Sequence, residues 1–128
     1  MNDKFPALVL LQFLLYFLAG INHFINPQFY LKLIPPYIPF HEAMNVISGI
    51  AEIVLALLLL HQPARKFASV IIVLMLLVFI TVHVYYIQVN PCTPADCIFF
   101  GIGWARLLIV HPLLIYWAWK AGSLAGHK

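Results

Sequence analysis

Two residues of opposite charge, Glu52 and Arg106, stand inside long apolar stretches of this sequence, where an ionisable side chain is costly to keep. With a rise of 1.5 Å per residue, each would lie roughly 12–14 Å from the same end of its predicted helix. A lone charge in hydrocarbon is strongly unfavourable, so their equal depth and opposite sign predict a buried Glu52–Arg106 ion pair. Such a pair could take part in chemistry, or it could only fix the register of two helices.

Five more polar residues recur at helical spacing and complete a predicted pocket. They are Tyr16, His23, Asn45, Ser48 and His83. Small residues such as Gly20 and Gly49 accompany them and let membrane helices approach closely, so these faces should point inward. His23 could instead be an interfacial residue among lipid headgroups, and His83 a hydrogen-bonded packing residue. Because His23, Asn45, Glu52, His83 and Arg106 all fall in the outer half of the predicted bundle, the pocket should open toward the extracytoplasmic side or the outer lipid leaflet.

Other polar residues receive a structural interpretation. Gln12 is the exception in an otherwise mostly aliphatic inner half. His111 follows Arg106 by five residues, which places it about 140° around a regular α-helix and away from the pocket. Pro112 lacks a backbone N–H and predicts a kink in the last span. No His and Cys cluster with metal-ligand spacing is present, so no metal site is predicted, and no residue is assigned a catalytic role.

The two cysteines, Cys92 and Cys97, lie in a proline-containing loop between the third and fourth apolar stretches. The predicted topology puts this loop outside the cytoplasm, where disulfides persist, so a Cys92–Cys97 disulfide is predicted. It could be a structural staple or a redox-active dithiol that exchanges electrons with a partner. The spacing is not C-x-x-C, and Asp96 beside Cys97 would oppose thiolate formation, so the staple is favoured.

The elements that position these residues are four apolar segments, each near the roughly 20 residues that a transmembrane helix needs. They cover about residues 5–24, 43–60, 67–87 and 98–119.

The composition supports a membrane location. Of the 128 residues, 64% are hydrophobic and 9% are charged, against about a quarter charged in soluble domains. The net charge of +3 is too small and scattered to indicate nucleic-acid binding. The sequence therefore predicts an all-α fold, an integral membrane four-helix bundle forming a single transmembrane domain over 1–128 in the lipid bilayer.

The positions of lysine and arginine orient the predicted bundle. Lys32 falls on one side of the membrane. The other side carries Lys4, Arg65, Lys66, Lys120 and Lys128. Since such residues concentrate in cytoplasmic loops, both termini are expected in the cytoplasm, in a multi-pass protein of the cytoplasmic (inner) membrane. Between the first and second spans, Pro35 and Pro36 would end a short interfacial helix over about 27–34.

Several motifs are shared with a known family. His23-Phe24 is followed by Pro27, and Ser48-Gly49 by Glu52. Further segments are Ile34-Pro35-Pro36, Trp104-Ala105-Arg106-Leu107 and Tyr116-Trp117-Ala118-Trp119. Together they resemble the DoxX-like family of small membrane proteins over nearly the whole chain. The resemblance implies a four-helix bundle in which His23, Glu52 and Arg106 are family-typical polar positions.

The resemblance also implies a function. Members of the family are associated with quinone-linked sulfur oxidation and thiol redox systems, which implies a redox-linked membrane subunit with a quinone as candidate cofactor. Glu52, His83 and Arg106 would then handle protons and anionic charge. The sequence shows no ligand set for haem or an Fe–S cluster, so a membrane or extracytoplasmic redox partner protein is expected. The alternative is a non-enzymatic membrane scaffold or assembly factor, and the sequence leaves open whether the chain is an enzyme.

Overall fold

A computed structural model describes residues 7–95 and 97–125. Within those ranges the chain is helical, with no strand. Its elements are α1 (Ala7–Ile25), α2 (Pro27–Leu31), α3 (His41–Leu60), α4 (Gln62–Val89), α5 (Ile98–Ala105), a π-helical segment (Arg106–Val110) and α6 (His111–Ser123). The last three are continuous and together form the fourth span. The predicted all-α four-helix bundle, with a short helix between its first two spans, is confirmed.

Four helices in the described ranges are long and apolar enough to cross a membrane. They are α1, α3, α4 and the fourth span (Ile98–Ser123). Their outward faces are apolar: Leu18, Val78 and Leu113 leave 61%, 64% and 61% of their surface exposed. Water does not solvate such a surface favourably, so length and composition indicate a multi-pass membrane protein.

The helix boundaries differ from the prediction mainly at the third span. α4 has 28 residues and begins at Gln62, so only His61 separates it from α3. Arg65 is buried in its first turns, and the Arg65 Nε donates a hydrogen bond of 2.8 Å to the carbonyl of Leu59. That bond satisfies one of the carbonyls left open at the end of α3. The predicted start of the first span at residue 5, and the topology signals Lys4 and Lys128, lie outside the described residues.

The bundle is packed most densely toward one end. We call the end that carries Ala7, His61 and Ser123 the terminal end, and the end that carries α2 and the Cys92–Cys97 loop the loop end. Core residues toward the terminal end include Val9, Leu59, Ile72, Ala118 and Ala121. There the Trp117 Nε1 also donates a hydrogen bond of 3.0 Å to the carbonyl of Leu8, which joins the fourth span to α1.

Glycines bring α1 and α3 into close contact nearer the loop end. A Cβ added at Gly49 would stand 2.8 Å from the Cβ of His23 and 3.1 Å from the carbonyl oxygen of Gly20. A Cβ added at Gly20 would stand 2.8 Å from the carbonyl oxygen of Gly49. Only residues without a side chain permit this approach, which presses His23 against α3.

Candidate functional site

A cavity of about 280 Å³ lies between the dense core and the loop end. Each of the four spans contributes to its wall, and α2 lies across it at the loop end. All seven residues of the predicted pocket line this one cavity. They are Tyr16, His23, Asn45, Ser48, Glu52, His83 and Arg106. The inward orientation predicted from the polar stripes on the first two spans is therefore seen in the structure.

His23, Asn45 and Glu52 form a buried polar cluster at the contact between α1 and α3. The His23 Nδ1 lies 2.7 Å from the Asn45 Oδ1, and the Asn45 Nδ2 donates a hydrogen bond of 3.0 Å to the backbone carbonyl of His23. On its other side, the His23 Nε2 lies 3.6 Å from the Glu52 Oε2. Asn45 thus holds the imidazole by one ring nitrogen and directs the other toward the Glu52 carboxyl.

The hydrogen bonds of Asn45 also assign the tautomer of His23. A backbone carbonyl can only accept, so the Asn45 nitrogen faces it and the Asn45 oxygen faces the His23 Nδ1. That oxygen can only accept in turn, so the Nδ1 carries a hydrogen. One further proton can then be carried by either the His23 Nε2 or the Glu52 carboxyl. The pair is neutral overall when it holds that proton and carries one negative charge when it has given the proton up.

The prediction that Glu52 pairs with Arg106 is wrong. Among the described residues, Glu52 has its ion pair with His23, and Arg106 is not within ion-pair distance of a carboxylate. The reason is the arrangement of the spans around the bundle. α3 packs between α1 and α4, while the fourth span packs on α4. Equal depth therefore places Glu52 and Arg106 on different walls of the cavity rather than against each other.

Arg106 begins the π-helical segment of the fourth span. Its guanidinium carbon lies 5.8 Å from the centre of the Tyr86 ring, a cation–π geometry. Close packing of α5 on α4 sets this position, since a Cβ added at Gly103 would stand 2.7 Å from the Ile87 Cγ1 and 3.0 Å from the Tyr86 Cδ1. An aromatic face stabilises a cation without neutralising it, so the charge of Arg106 remains available to the cavity.

His111 also lines the cavity, which corrects the prediction that it faces elsewhere. The backbone N–H of His111 bonds to the carbonyl of Arg106, five residues earlier instead of four. This wider turn advances each residue by less than the 100° of an α-helix, so His111 returns toward the face of Arg106. Pro112, which cannot donate to the carbonyl four residues before it, is the sequence signal that could have suggested the irregularity.

His111 and His83 form an aromatic pair on the same side of the cavity. Their ring centres are 4.7 Å apart with an interplanar angle of 75°. The His111 Nε2 is hydrogen-bonded to the backbone carbonyl of Leu76. Because that carbonyl only accepts, the Nε2 carries a hydrogen. The neutral ring therefore has its acceptor at the Nδ1.

Three buried polar side chains at or beyond the terminal side of the cavity each have a polar atom without a hydrogen bond. Gln12 is fully buried, and neither of its amide atoms has a hydrogen-bond partner in the described part of the chain. The same holds for the Tyr16 hydroxyl and for the Glu52 Oε2. Buried polar groups of native proteins are normally satisfied by protein, water or ligand. Such unpaired atoms beside a cavity therefore indicate a place where water or a ligand polar group binds.

α2 supplies residues that were missing from the predicted pocket. The ring of Tyr30 stacks on the ring of His23, with centres 3.7 Å apart and an angle of 21° between planes. The Asn22 Nδ2 donates a hydrogen bond of 2.8 Å to the Tyr30 hydroxyl and so fixes the ring in place. Tyr30 therefore covers the His23–Glu52 pair from the loop end. Its position depends on where α2 folds back, which spacing along one helix does not reveal.

The predicted disulfide is present at the loop end. Cys92 and Cys97 are bonded, with their Cα atoms 4.3 Å apart. It closes the loop that leads from α4 into the fourth span. Asp96, invoked against thiolate formation, lies outside the described residues. No group of three or more His, Cys, Asp or Glu side chains that could hold a metal ion occurs in residues 7–95 and 97–125.

Comparison with known protein families gives a match. The model of a protein family described as "Domain of unknown function (DUF8561)" matches residues 12–122 of the chain. No curated protein and no solved structure matches the chain. The matched range contains every residue that lines the cavity, from Leu15 on α1 to Leu114 on α6.

Proposed function

We propose a function for this chain, which belongs to the family described as a domain of unknown function (DUF8561), from the chemistry of its own cavity. The chain binds the headgroup of a quinone between the spans and serves as a redox-linked membrane subunit. The observation that carries this proposal is the position of Arg106. Its cation faces a membrane-embedded cavity and, within the described residues, has no carboxylate at ion-pair distance.

An unneutralised cation at membrane depth is costly unless something electron-rich occupies the site beside it. A quinone headgroup offers carbonyl oxygens that accept hydrogen bonds and take on negative charge during reduction. On the α1 wall, the Tyr16 hydroxyl, which has no hydrogen bond within the described residues, can donate to such an oxygen. Donors on two walls suit a flat headgroup with two oxygen atoms.

The Glu52–His23 pair supports the redox part of the proposal. A bound quinone takes up two electrons and two protons and becomes a quinol. The pair, whose His23 Nε2 and Glu52 Oε2 are 3.6 Å apart, holds one proton at the cavity wall. It can pass this proton to a ligand oxygen and then take up another proton from water. The electrons would come from a redox protein partner. When the pair has released its proton, Arg106 on the opposite wall balances the remaining negative charge.

The dimensions of the cavity fit a headgroup. Pockets for drug-sized molecules typically measure about 300–1,000 Å³. At about 280 Å³ this cavity is slightly smaller than that range and has room for one substituted ring. The resemblance to DoxX-like proteins points in the same direction, and membership of that family stays a prediction.

Binding of a tailless quinone tests the proposal. With purified protein in lipid nanodiscs, quenching of tryptophan fluorescence by soluble benzoquinone and naphthoquinone analogues should give saturable binding. Arg106→Met should weaken it by about 10–100-fold, because a hydrogen bond to a charged group contributes about 1.5–3 kcal/mol. Lys66→Met, which removes an exposed cation at the terminal end, should leave affinity unchanged. Wild-type protein that shows no saturable binding would refute the proposal.

We also propose that the chain lies in the cytoplasmic (inner) membrane with both termini in the cytoplasm. Lys66 and Lys120 are exposed at the terminal end and support this orientation, while Lys32 lies at the loop end. Arg65 counts less, because it is buried and bonded to the carbonyl of Leu59. A cysteine placed at Lys66 should resist a membrane-impermeant maleimide added to whole cells, and one at Lys32 should react. The reverse pattern would invert the topology and put the cavity in the cytoplasmic half.

A scaffold or assembly role remains the second candidate. Only 11% of the most apolar 18-residue stretch of the fourth span is buried. Leu108, Ile109 and Leu113 therefore form a broad apolar face that is open to lipid or another helix. If the chain is a scaffold, cavity variants should alter partner binding, and neither the wild-type protein nor the variants should bind quinone detectably. The quinone titration therefore separates the two functions.

A further inference from the structure

We infer that the cavity receives its ligand from within the bilayer, through a lateral opening between α1 and the fourth span, and that the ligand therefore carries an apolar tail. This inference rests on the proposed function and specifies the class of quinone: a lipid-soluble one whose tail stays in the opening while the headgroup lies inside. The geometry of each wall of the cavity leads to this side.

The cavity is blocked at the terminal end and partly covered at the loop end. At the loop end, Phe29 and Tyr30 of α2 and Leu33 of the turn after it line it. Toward the terminal end the apolar core fills the bundle, and the hydrogen bond from Trp117 to Leu8 ties the fourth span to α1. A ligand that arrives from the terminal end therefore meets packed side chains, and one that arrives from the loop end meets the aromatic residues of α2.

Three of the four sides are also closed by helix packing. The glycine contact seals α1 against α3. α3 packs on α4, and Gly103 lets α5 approach Tyr86 and Ile87 of α4. The remaining side lies between α1 and the fourth span, which meet only lightly and through α6, close to the Trp117 bond. The two helices are joined at the terminal end and lack a comparable contact beside the cavity.

Leu15 on α1 and Val110 on the fourth span mark the rim of this opening. Both line the cavity, yet they leave 40% and 48% of their surface exposed to the surroundings. A side chain that is both part of a cavity wall and open to the outside borders a passage between them. Ala19 and Leu114 line the cavity on the same two helices. The rim is therefore apolar, while the charged groups lie deeper.

An apolar passage that faces lipid favours an apolar occupant. Exposed leucines and isoleucines flank the rim, among them Leu14, Leu18, Ile109 and Leu113. An isoprenoid tail in this passage would exchange one apolar environment for another, and the headgroup would reach Arg106 and the Glu52–His23 pair. A charged, water-soluble ligand would have to cross this apolar surface first, which is unfavourable.

Narrowing the opening gives a matched test at equilibrium. In nanodiscs, Val110→Trp and Leu15→Trp should weaken binding of a quinone with an isoprenoid tail by tenfold or more, relative to its affinity for wild-type protein. Ile109→Trp and Leu14→Trp, at exposed neighbours outside the cavity wall, should change it less than twofold. A tailless quinone has no tail to place in the opening, so Val110→Trp and Leu15→Trp should lower its equilibrium affinity much less than that of the tailed quinone. Ile109→Trp and Leu14→Trp should leave its affinity unchanged.

A second measurement locates the tail directly. A quinone with a photoreactive diazirine in its tail should label α1 and the fourth span near Leu15 and Val110, as read by mass spectrometry of peptides. Labelling confined to α2 or the Cys92–Cys97 loop would overturn the inference, as would equal effects of the tryptophan variants and their controls. In those cases binding of the tailless quinone would still support the proposed function, and its absence would refute both.

Discussion

Replacing Gly49 by valine is expected to remove the quinone site and to lower the free energy of unfolding by about 3 kcal/mol, the upper part of the usual range for overpacking. The first atom added at Gly49 already stands 2.8 Å from the Cβ of His23, 2.9 Å from the ring of Phe24 and 3.1 Å from the carbonyl oxygen of Gly20. Two of these three atoms belong to or adjoin the backbone and cannot turn away. α1 must move off α3 as a whole, and His23 then loses both Asn45 and Glu52.

Gly101→Val is the matched control for this prediction. Gly101 is also helical, but an added Cβ there would have no neighbour within 4 Å, so the bundle should keep its stability. Unfolding in mixed detergent micelles, followed by circular dichroism, measures both variants, and the quinone titration measures the site. Equal stability of the two variants would show that the contact between Gly20 and Gly49 does not hold α1 to α3.

The stripes of small and polar residues were sufficient to predict which faces of the first two spans point inward. Polar residues are rare in this chain, and a membrane leaves them few favourable positions, so their helical spacing carries much information. Gln12, Tyr16 and His23 are all buried on α1, as are Asn45 and Glu52 on α3. On α4, the predicted pocket residue His83 lines the cavity but is only half-buried.

The neighbours of each span could not be predicted from the sequence. Depth along a helix is a local property, but the order of helices around a bundle depends on packing between distant segments. That is why Glu52 was matched by depth to Arg106, while the glycine contact actually brings it to His23. His111 illustrates a second limit. Regular helix arithmetic fails when one turn is π-helical, and nothing in the periodicity of the residues alone reveals that turn.

Replacing Glu52 by glutamine is expected to slow reduction of the bound quinone by about 100-fold or more, within the 10²–10⁴ range for loss of a proton donor. The fold should be kept. Because the hydrogen of His23 faces Asn45, the Nε2 can accept a hydrogen bond from the glutamine amide. The amide preserves this contact and has no proton to give. This variant should therefore keep the stability of the wild type and lose most of its reduction rate. If Glu52 only held helices together, the rate would not fall while stability is kept.

The rate is measured in nanodiscs with a viologen radical as soluble one-electron donor, two molecules of which supply the two electrons for each quinone. Lipid-only discs give the background to subtract. Glu52→Asp, which retains a carboxyl, should recover part of the lost rate. Glu42→Gln makes the same change at an exposed position on the first turn of α3 and should behave as wild type. If Glu52→Gln reduces quinone as fast as wild type, protons reach the ligand by another route, and the Glu52–His23 pair is structural.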